Sequence, residues 1–545
     1  MSVNAWWQSA VIYQIYPRSF KDSNGDGIGD IAGIIEKLDY VTSLGVDAIW
    51  VSPFFKSPMR DFGYDISDYR DIDPMFGTLD DFDRLLETAH SRGLKVIIDQ
   101  VLSHTSDQHS WFLESRESRG NTDTGTGTNS KADWYVWADA RSDGCPPNNW
   151  LSIFGGSAWQ WEPRRGQYYL HNFLSSQPDL NFHNPAVREQ ILSEVEYWLK
   201  KGVDGLRLDA INFCYHDEQL RDNPPKPEEA RQGRGFSNDN PYAYQYHYYN
   251  NTQAENLSFL VELRALLDRY PGTMSLGEVS SEDSLATMAE YTAGDTGLHT
   301  AYSFELLVNE ISAEHIRDTI TQSEIAMKGG WPCWAVGNHD VSRVVTRWGD
   351  GTNDVRLAKM INMLLGSLRG SLCSYQGEEL GLPEADIPYE LLQDPYGKAF
   401  WPKFKGRDGC RTPIPWDKRA QNGGFSEAEP WLPVPSSHRE KSVNVQEDDL
   451  SSTLNHYREF FRWRKLQPAL KWGDIELPVS SENLLIIVRR HEEQTLFIYF
   501  NLGDEDVTFE APKNGSVISQ FSQCSAVDDA SKCRLPSKGA AFFWV

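Results

Sequence analysis

Short apolar runs recur along the first three quarters of the chain, and most are followed by a stretch in which apolar positions return at helical spacing. Residues 10–16 (AVIYQIY) form the first run; beyond an Asp/Gly-rich loop, residues 31–44 place Ile34, Ile35, Leu38 and Val41 on one face. The next strands are predicted at 46–53 and 94–101, with a helix at 79–92 between them that Gly93 ends. After an interruption the pattern resumes with a helix at 185–201, a strand at 203–210, a helix at 255–270 and a strand at 274–279. Later strands are predicted at 299–304, 333–338 and 371–376, with a helix at 354–368. Runs apolar on both faces belong in a parallel sheet covered by helices. Eight of them fit one (β/α)8 TIM barrel, an α/β fold, better than an open doubly wound sheet.

Two stretches interrupt this regularity. Residues 104–177 are rich in Trp, Gly, Asn, Ser and Pro and include the low-complexity piece 121–129. That is too long for a connecting loop, so a small inserted domain is expected after the third strand. A polar, tyrosine-rich excursion at 212–254 follows the fourth strand. Beyond a helix at 450–466 the period changes to short strands at 484–489, 495–501 and 541–545, separated by polar turns. The expected organisation is a barrel from 1–103 and 178–470, an insert at 104–177 and an antiparallel C-terminal β-domain at 471–545.

Composition narrows the partners. Hydrophobic residues make up 40% of the 545, with 19 Trp, enough for a large core. A formal charge of −26 opposes nucleic acid and anionic membranes as partners, since both require basic surfaces. The aromatic residues suit the flat faces of sugar rings and equally suit a core. Seven Cys, an odd number without a Cys-x-x-Cys pair, oppose a disulfide framework and a zinc site. Residues 1–7 lack the features of a signal peptide and no run of 18 apolar residues occurs, so a cytoplasmic protein without a membrane partner is expected.

Candidate chemistry sits at the strand ends. Arg207 and Asp209 lie two positions apart in the fourth strand and so point the same way. Alone, they are equally a structural ion pair. Glu278 ends the fifth strand, Asp340 follows the seventh within Asn338-His-Asp340, and Asp99 lies in the third with His104 just beyond it. Carboxylates converging at a barrel mouth are what glycosidic-bond hydrolysis requires: one as nucleophile, a second as general acid. The acid needs a raised pKa, and Arg207 is expected to favour the ionised form of Asp209, so the two carboxylates would be pushed apart.

In order and spacing, Asp99-Gln-Val-Leu-Ser-His104, Gly205-Leu-Arg-Leu-Asp209, Gly277-Glu278 and Asn338-His-Asp340 resemble the four motifs of glycoside hydrolase family 13, the α-amylase superfamily. Gln177-Pro-Asp-Leu-Asn181 looks like the extra motif of its oligo-1,6-glucosidase and α-glucosidase branch. Ile12-Tyr-Gln-Ile-Tyr-Pro-Arg-Ser-Phe20, Gly63-Tyr-Asp65 and Gly406-Arg-Asp-Gly-Cys-Arg-Thr-Pro413 are similar to that branch as well. The resemblance implies Asp209 as nucleophile, Glu278 as acid/base and Asp340 as transition-state stabiliser, with Arg207 orienting the nucleophile. It further implies that Asp65, His104, His339 and Arg407 hold the hydroxyls of the non-reducing-end glucose and that Phe154 and Phe173 wall the pocket. Arg407 and Arg411 are both open as partners of Asp65, the two Phe could instead be core, and Asp99 could simply brace its strand.

The loop after the first strand carries oxygen donors at every second position (Asp22, Asn24, Asp26, Ile28, Asp30) with glycines between, a pattern suited to Ca2+ or Mg2+ and also to an Asx-rich turn. The branch carries a cation at the matching loop, with Ile28 contributing its carbonyl, which implies a structural ion here. Ala210 follows the nucleophile where α-1,6-preferring branch members typically have Val, so the resemblance implies a preference for α-1,4 links. The expected activity is a retaining exo-α-glucosidase acting on short α-1,4 oligosaccharides, as a monomer or homodimer. The rivals are an α-glucosyltransferase, an oligo-1,6-glucosidase or sucrose isomerase, and an inactive transporter-associated homologue, which retention of Asp209, Glu278 and Asp340 disfavours.

Overall fold

Eight parallel strands carry the molecule: β1 (Val11–Ile15), β2 (Ala48–Val51), β3 (Lys95–Val101), β4 (Gly205–Asp209), β5 (Met274–Val279), β6 (Thr300–Ser303), β7 (Cys333–Ala335) and β8 (Ser371–Tyr375). The computed structural model describes residues 5–119, 131–231, 239–309, 311–352, 354–527 and 532–545. The strands pair in the order β6-β5-β4-β3-β2-β1-β8-β7, with Ile12 level with both Ala48 and Cys373, and Leu276 level with both Arg207 and Thr300. At the seam between β6 and β7, Thr300 Oγ1 donates to Trp331 O at 2.7 Å. Alternate residues of both edge strands, Tyr302 on β6 and Cys333 and Ala335 on β7, enter one interior cluster with Ile12, Trp50, Ile97 and Leu276. The sheet therefore closes on a filled interior, as in a TIM barrel.

The opposite faces of the same strands pack outward. Val11, Tyr13 and Ile15 of β1, Val96 and Ile98 of β3, and Leu206 and Leu208 of β4 are all buried against the helix layer. Helix ends are set by local chemistry. Thr78 and Asp81 form a reciprocal capping box on Leu79–Ser91. Asn184 caps Pro185–Lys201, which ends at Gly202 in the left-handed region (φ 99°) and so turns the chain into β4. The helix expected at 31–44 is two, Ile31–Glu36 and Leu38–Ser43, because Lys37 N–H bonds back three residues to Ile34 O and tightens the turn.

In the region of the expected insert, Trp137–Ala138, Gln167–Leu170 and Trp159–Glu162 form a three-stranded antiparallel sheet over a small core of Trp150, Trp159 and Leu170. His104 and Asp179 pair in an isolated bridge where the chain leaves and rejoins the barrel. The low-complexity piece 121–129 lies outside the described residues. At the C-terminus a five-stranded antiparallel sheet, with Leu484–His491, Gln494–Asn501 and Ala540–Trp544 at its centre, is joined by a three-stranded one.

The C-terminal sheet also reaches into the barrel layer. Arg489 is fully buried and donates from Nη1 to Ser367 O (2.8 Å) and Leu368 O (2.9 Å), at the C-terminal end of helix Asp354–Ser367. Arg464 Nε donates to Gly366 O at 2.8 Å. Cations there meet carbonyls the helix leaves unpaired and the negative end of its dipole. Among the described residues no helix is long and apolar enough to cross a membrane.

Candidate active site

Arg207 is the hub. It is fully buried, and its two terminal nitrogens reach three carboxylates from three strands. Nη1 lies 2.9 Å from Asp99 Oδ1 and 2.6 Å from Asp209 Oδ1, and Nη2 lies 2.5 Å from Glu278 Oε1. Tyr302 O–H donates to the same Glu278 oxygen at 2.9 Å and itself accepts from Arg207 Nη2 at 2.8 Å. The backbone N–H of Ala210 donates to Glu278 Oε2 at 3.1 Å. Asp99 is enclosed, its Oδ2 accepting from Trp50 Nε1 and Tyr64 O–H at 3.0 Å each, so it braces Arg207 and does not face the pocket.

Three carboxylates around one guanidinium cannot all be neutralised by it. Burial pushes the Asp209 carboxyl well up, with Arg207 opposing and the negative neighbours Glu278 and Asp99 adding to the rise. Burial also takes Asp99 up to about 6, again against Arg207. Arg207 favours the ionised form of Asp209, as expected, but at this depth desolvation outweighs the ion pair.

Asp340 has the opposite environment. Its Oδ1 accepts from Arg411 Nη2 (2.7 Å) and Arg407 Nη1 (3.1 Å), and His339 Nε2 lies 3.3 Å from Oδ2. Burial favours the neutral acid, but His339, Arg407 and Arg411 together hold this carboxyl well below the usual range. Burial lowers the His339 imidazole to about 3. Its ring stacks between Tyr64 (5.1 Å, 2°) and Tyr16 (5.7 Å, 19°).

Asp209, Glu278, Asp340, His104, Phe154, Phe173 and Arg407 all line one pocket of about 420 Å3, within the ~300–1,000 Å3 usual for ligand sites. Arg207 and His339 support it from behind. His104 Nε2 lies 3.0 Å from the Tyr64 carbonyl, which can only accept, so this nitrogen carries the proton. Burial lowers His104 to about 4, which makes it a neutral donor. The Arg407 guanidinium lies 5.1 Å from the Phe154 ring centroid, a cation–π contact.

Asp65 does not reach the pocket. It is fully buried, and it accepts N–H groups from Arg60 (2.9 Å) and Asp61 (3.0 Å) and the Ser57 hydroxyl (2.9 Å). It closes the turn through Gly63 (φ 107°) that presents Asp61 instead. Asp61 Oδ1 accepts from Arg407 Nη2 at 2.7 Å, and Asp61 lines the pocket. Arg411 lies deeper, over Tyr16 and Phe62, and serves Asp340. Sequence reasoning also missed Gln177 and Tyr396 on the wall, and Lys226, Tyr242 and Tyr246 from the excursion.

Ala210 lines the pocket in the left-handed region (φ 40°, ψ 46°), a conformation that β-branched side chains resist. In the loop after β1, Asp22 accepts N–H groups from Asn24, Gly25 and Gly27 at 2.7–3.0 Å. Asp30 caps helix Ile31–Glu36 through Gly33 N. Asn24 and Asp26 are exposed, and each accepts one N–H from two residues on, at 2.9 Å. Among the described residues, no three His, Cys, Asp or Glu side chains gather as a metal site.

Comparison with known proteins agrees with this geometry. Residues 14–473 match the family model "Alpha amylase, catalytic domain". The chain is 53% identical over 541 residues to a "Probable alpha-glucosidase" of Rhizobium meliloti (strain 1021), covering 98% of this chain and 96% of the relative. It is 36% identical to an "Oligo-1,6-glucosidase" of Parageobacillus thermoglucosidasius, over 93% and 92% of the two chains. The crystal structure of the α-glucosyl transfer enzyme XgtA superposes with a TM-score of 0.96 at 60% identity, covering 99% of this chain and all of that one. With Asp209, Glu278 and Asp340 brought to one pocket, the chain belongs to the α-amylase family, glycoside hydrolase family 13, and is a glycoside hydrolase.

Proposed function

We propose that the protein is a retaining, exo-acting α-glucosidase that releases glucose from the non-reducing end of short α-1,4-linked oligosaccharides such as maltose. The observation that carries this reading is Arg207 holding Asp209 on one terminal nitrogen and Glu278 on the other. Carboxylates sharing one guanidinium favour the close spacing of about 5–5.5 Å used in double displacement over the wider spacing that admits a water.

Asp209 attacks as the carboxylate, the form that Arg207 favours against burial, and Glu278 serves as the acid. Asp209 bonds to the sugar C1 as the C1–O bond breaks, and Glu278 gives its proton to the departing oxygen. Water then gives a proton to Glu278 and its oxygen to C1, which releases Asp209. Asp340, kept ionised, and Asp61 with Arg407 accept and donate at the sugar hydroxyls. Ala210, the smallest side chain that keeps chirality, leaves room beyond the scissile bond for an α-1,4-linked residue.

Glucosyl transfer is the second reading, favoured by the likeness to XgtA. A hydroxyl compound other than water would take the glucosyl group from Asp209. The oxygen-rich loop from Asp22 to Asp30 is proposed to take a structural Ca2+ or Mg2+; the support is its donor spacing and the two exposed side chains, Asn24 and Asp26.

Incubation with maltose and with isomaltose, followed by NMR of the anomeric protons, tests the reading. Maltose is expected to react faster and to give α-glucose first. Initial β-glucose would refute retention, and glucosylated maltose outpacing free glucose would select transfer.

A further inference from the structure

Two segments far apart in sequence meet at Asp340. One is the loop after β7 that carries it, and the other, around Gly406–Arg411, supplies Arg407 and Arg411. Both are mostly irregular, so their spacing depends on what lies between them.

Glu384 lies there. Its Oε2 accepts the backbone N–H of Arg343, three residues beyond Asp340, at 2.7 Å. Its Oε1 packs so closely on Gly409 that a Cβ built at that glycine would fall 2.2 Å away. The neighbouring Ala385 N donates to Gly409 O at 3.1 Å. Arg343 completes the junction from the other side, donating to Gln376 O beyond β8 (2.9 Å) and to Cys410 O (3.0 Å). Glu384 is not among the residues lining the pocket.

We propose that Glu384 is a positioning residue: through the Arg343 backbone and Gly409 it keeps the Asp340 loop in register with Arg407 and Arg411. The inference rests on the reading of Asp340 as the transition-state stabiliser. Asp340 has its two guanidinium contacts on the 406–411 side, so a shift of the two segments past one another separates the carboxylate from both. A misplacement of about 1 Å at a reacting group can cost roughly a hundredfold in rate.

E384A, E384Q and D340N are to be compared with the parent on p-nitrophenyl α-glucoside, with folded fraction and Tm measured in parallel. E384A is expected to lose about ten- to a hundredfold in kcat with KM little changed. E384Q, whose amide oxygen still accepts the Arg343 N–H, is expected to recover most of that rate. A parent-like kcat in E384A beside an inactive D340N overturns the proposal, as does a loss explained wholly by a lower folded fraction. A parent-like D340N overturns instead the reading of Asp340. If E384A does not fold, R343Q takes its place: it keeps the backbone bond to Glu384 and removes the two carbonyl contacts, so a kcat-selective loss supports the junction and an unchanged kcat overturns it.

Discussion

Arg407 bridges Asp61 and Asp340: one terminal nitrogen lies 2.7 Å from Asp61 Oδ1 and the other 3.1 Å from Asp340 Oδ1. The carboxylate of the Asp61-Phe-Gly-Tyr-Asp65 turn that lines the pocket is therefore its first residue. D61N is expected to lower kcat/KM on maltose by roughly tenfold or more, since the wall loses a charged acceptor and Arg407 keeps only Asp340 and Asp394 as carboxylate partners. D65N, which keeps one acceptor oxygen in the turn, should lower Tm and affect kcat/KM less. Kinetics and melting curves of the pair check the assignment, and the reverse ranking would restore Asp65.

Asp209 and Asp340 should respond oppositely to neutralisation. Burial raises the Asp209 carboxyl above its unfolded value of about 3.9, so its favourable contribution is complete below that value and is lost as pH rises through the folded one. D209N should thus be inactive yet melt higher than the parent at pH 7, with the difference vanishing towards acid. Asp340 is depressed, so its contribution is present above the unfolded value and is lost as pH falls through the folded one. D340N should melt lower than the parent at neutral pH. Calorimetry at several pH values gives both signs.

Replacing Ala210 with Val tests linkage and backbone together. A β-branched side chain at φ 40° costs about 1–2 kcal/mol. The branch also narrows the pocket beyond the scissile bond. The variant is expected to melt lower, to lose kcat/KM on maltose and to show a higher isomaltose-to-maltose ratio. A ratio that does not move would separate Ala210 from linkage choice.

If the loop after β1 holds a cation, Tm should rise with added Ca2+ or Mg2+ and fall after chelation, and D26N should blunt both. Binding to the folded state alone adds roughly 2.7 kcal/mol at a hundredfold excess over Kd, well within calorimetric reach. Metal analysis of dialysed protein supplies an independent count of bound ions.

What the sequence made legible was whatever depends on period and order. Strands apolar on both faces gave the barrel, Asp209 and Glu278 could be read at strand ends because a strand points alternate side chains one way, and Asp340 was read from its motif in the loop after β7. Depth was not legible. Arg207 beside Asp209 reads as an ion pair that lowers the acid, and only the enclosure of the cluster makes desolvation the larger effect. Nor was the choice between two Asp flanking Gly63, since the turn decides which one faces in. Helix Ala313–Met327 escaped because Ile316, Ile320 and Met327 are its few large buried apolar residues. The excursion residues at the pocket, Lys226 and Tyr246, sit on irregular backbone that carries no period.

Arg489 gives the chain a direction of assembly. The guanidinium that satisfies the last turn of helix Asp354–Ser367 is encoded 122 residues after Ser367. During synthesis that helix emerges, with β8 behind it, long before its cap exists. The barrel's closing strand is therefore laid down on a helix whose end Arg464 reaches first and Arg489 only when the C-terminal sheet has left the ribosome. A chain cut before Leu484 would keep every acid of the pocket and leave Arg464 as the one arginine at that helix end.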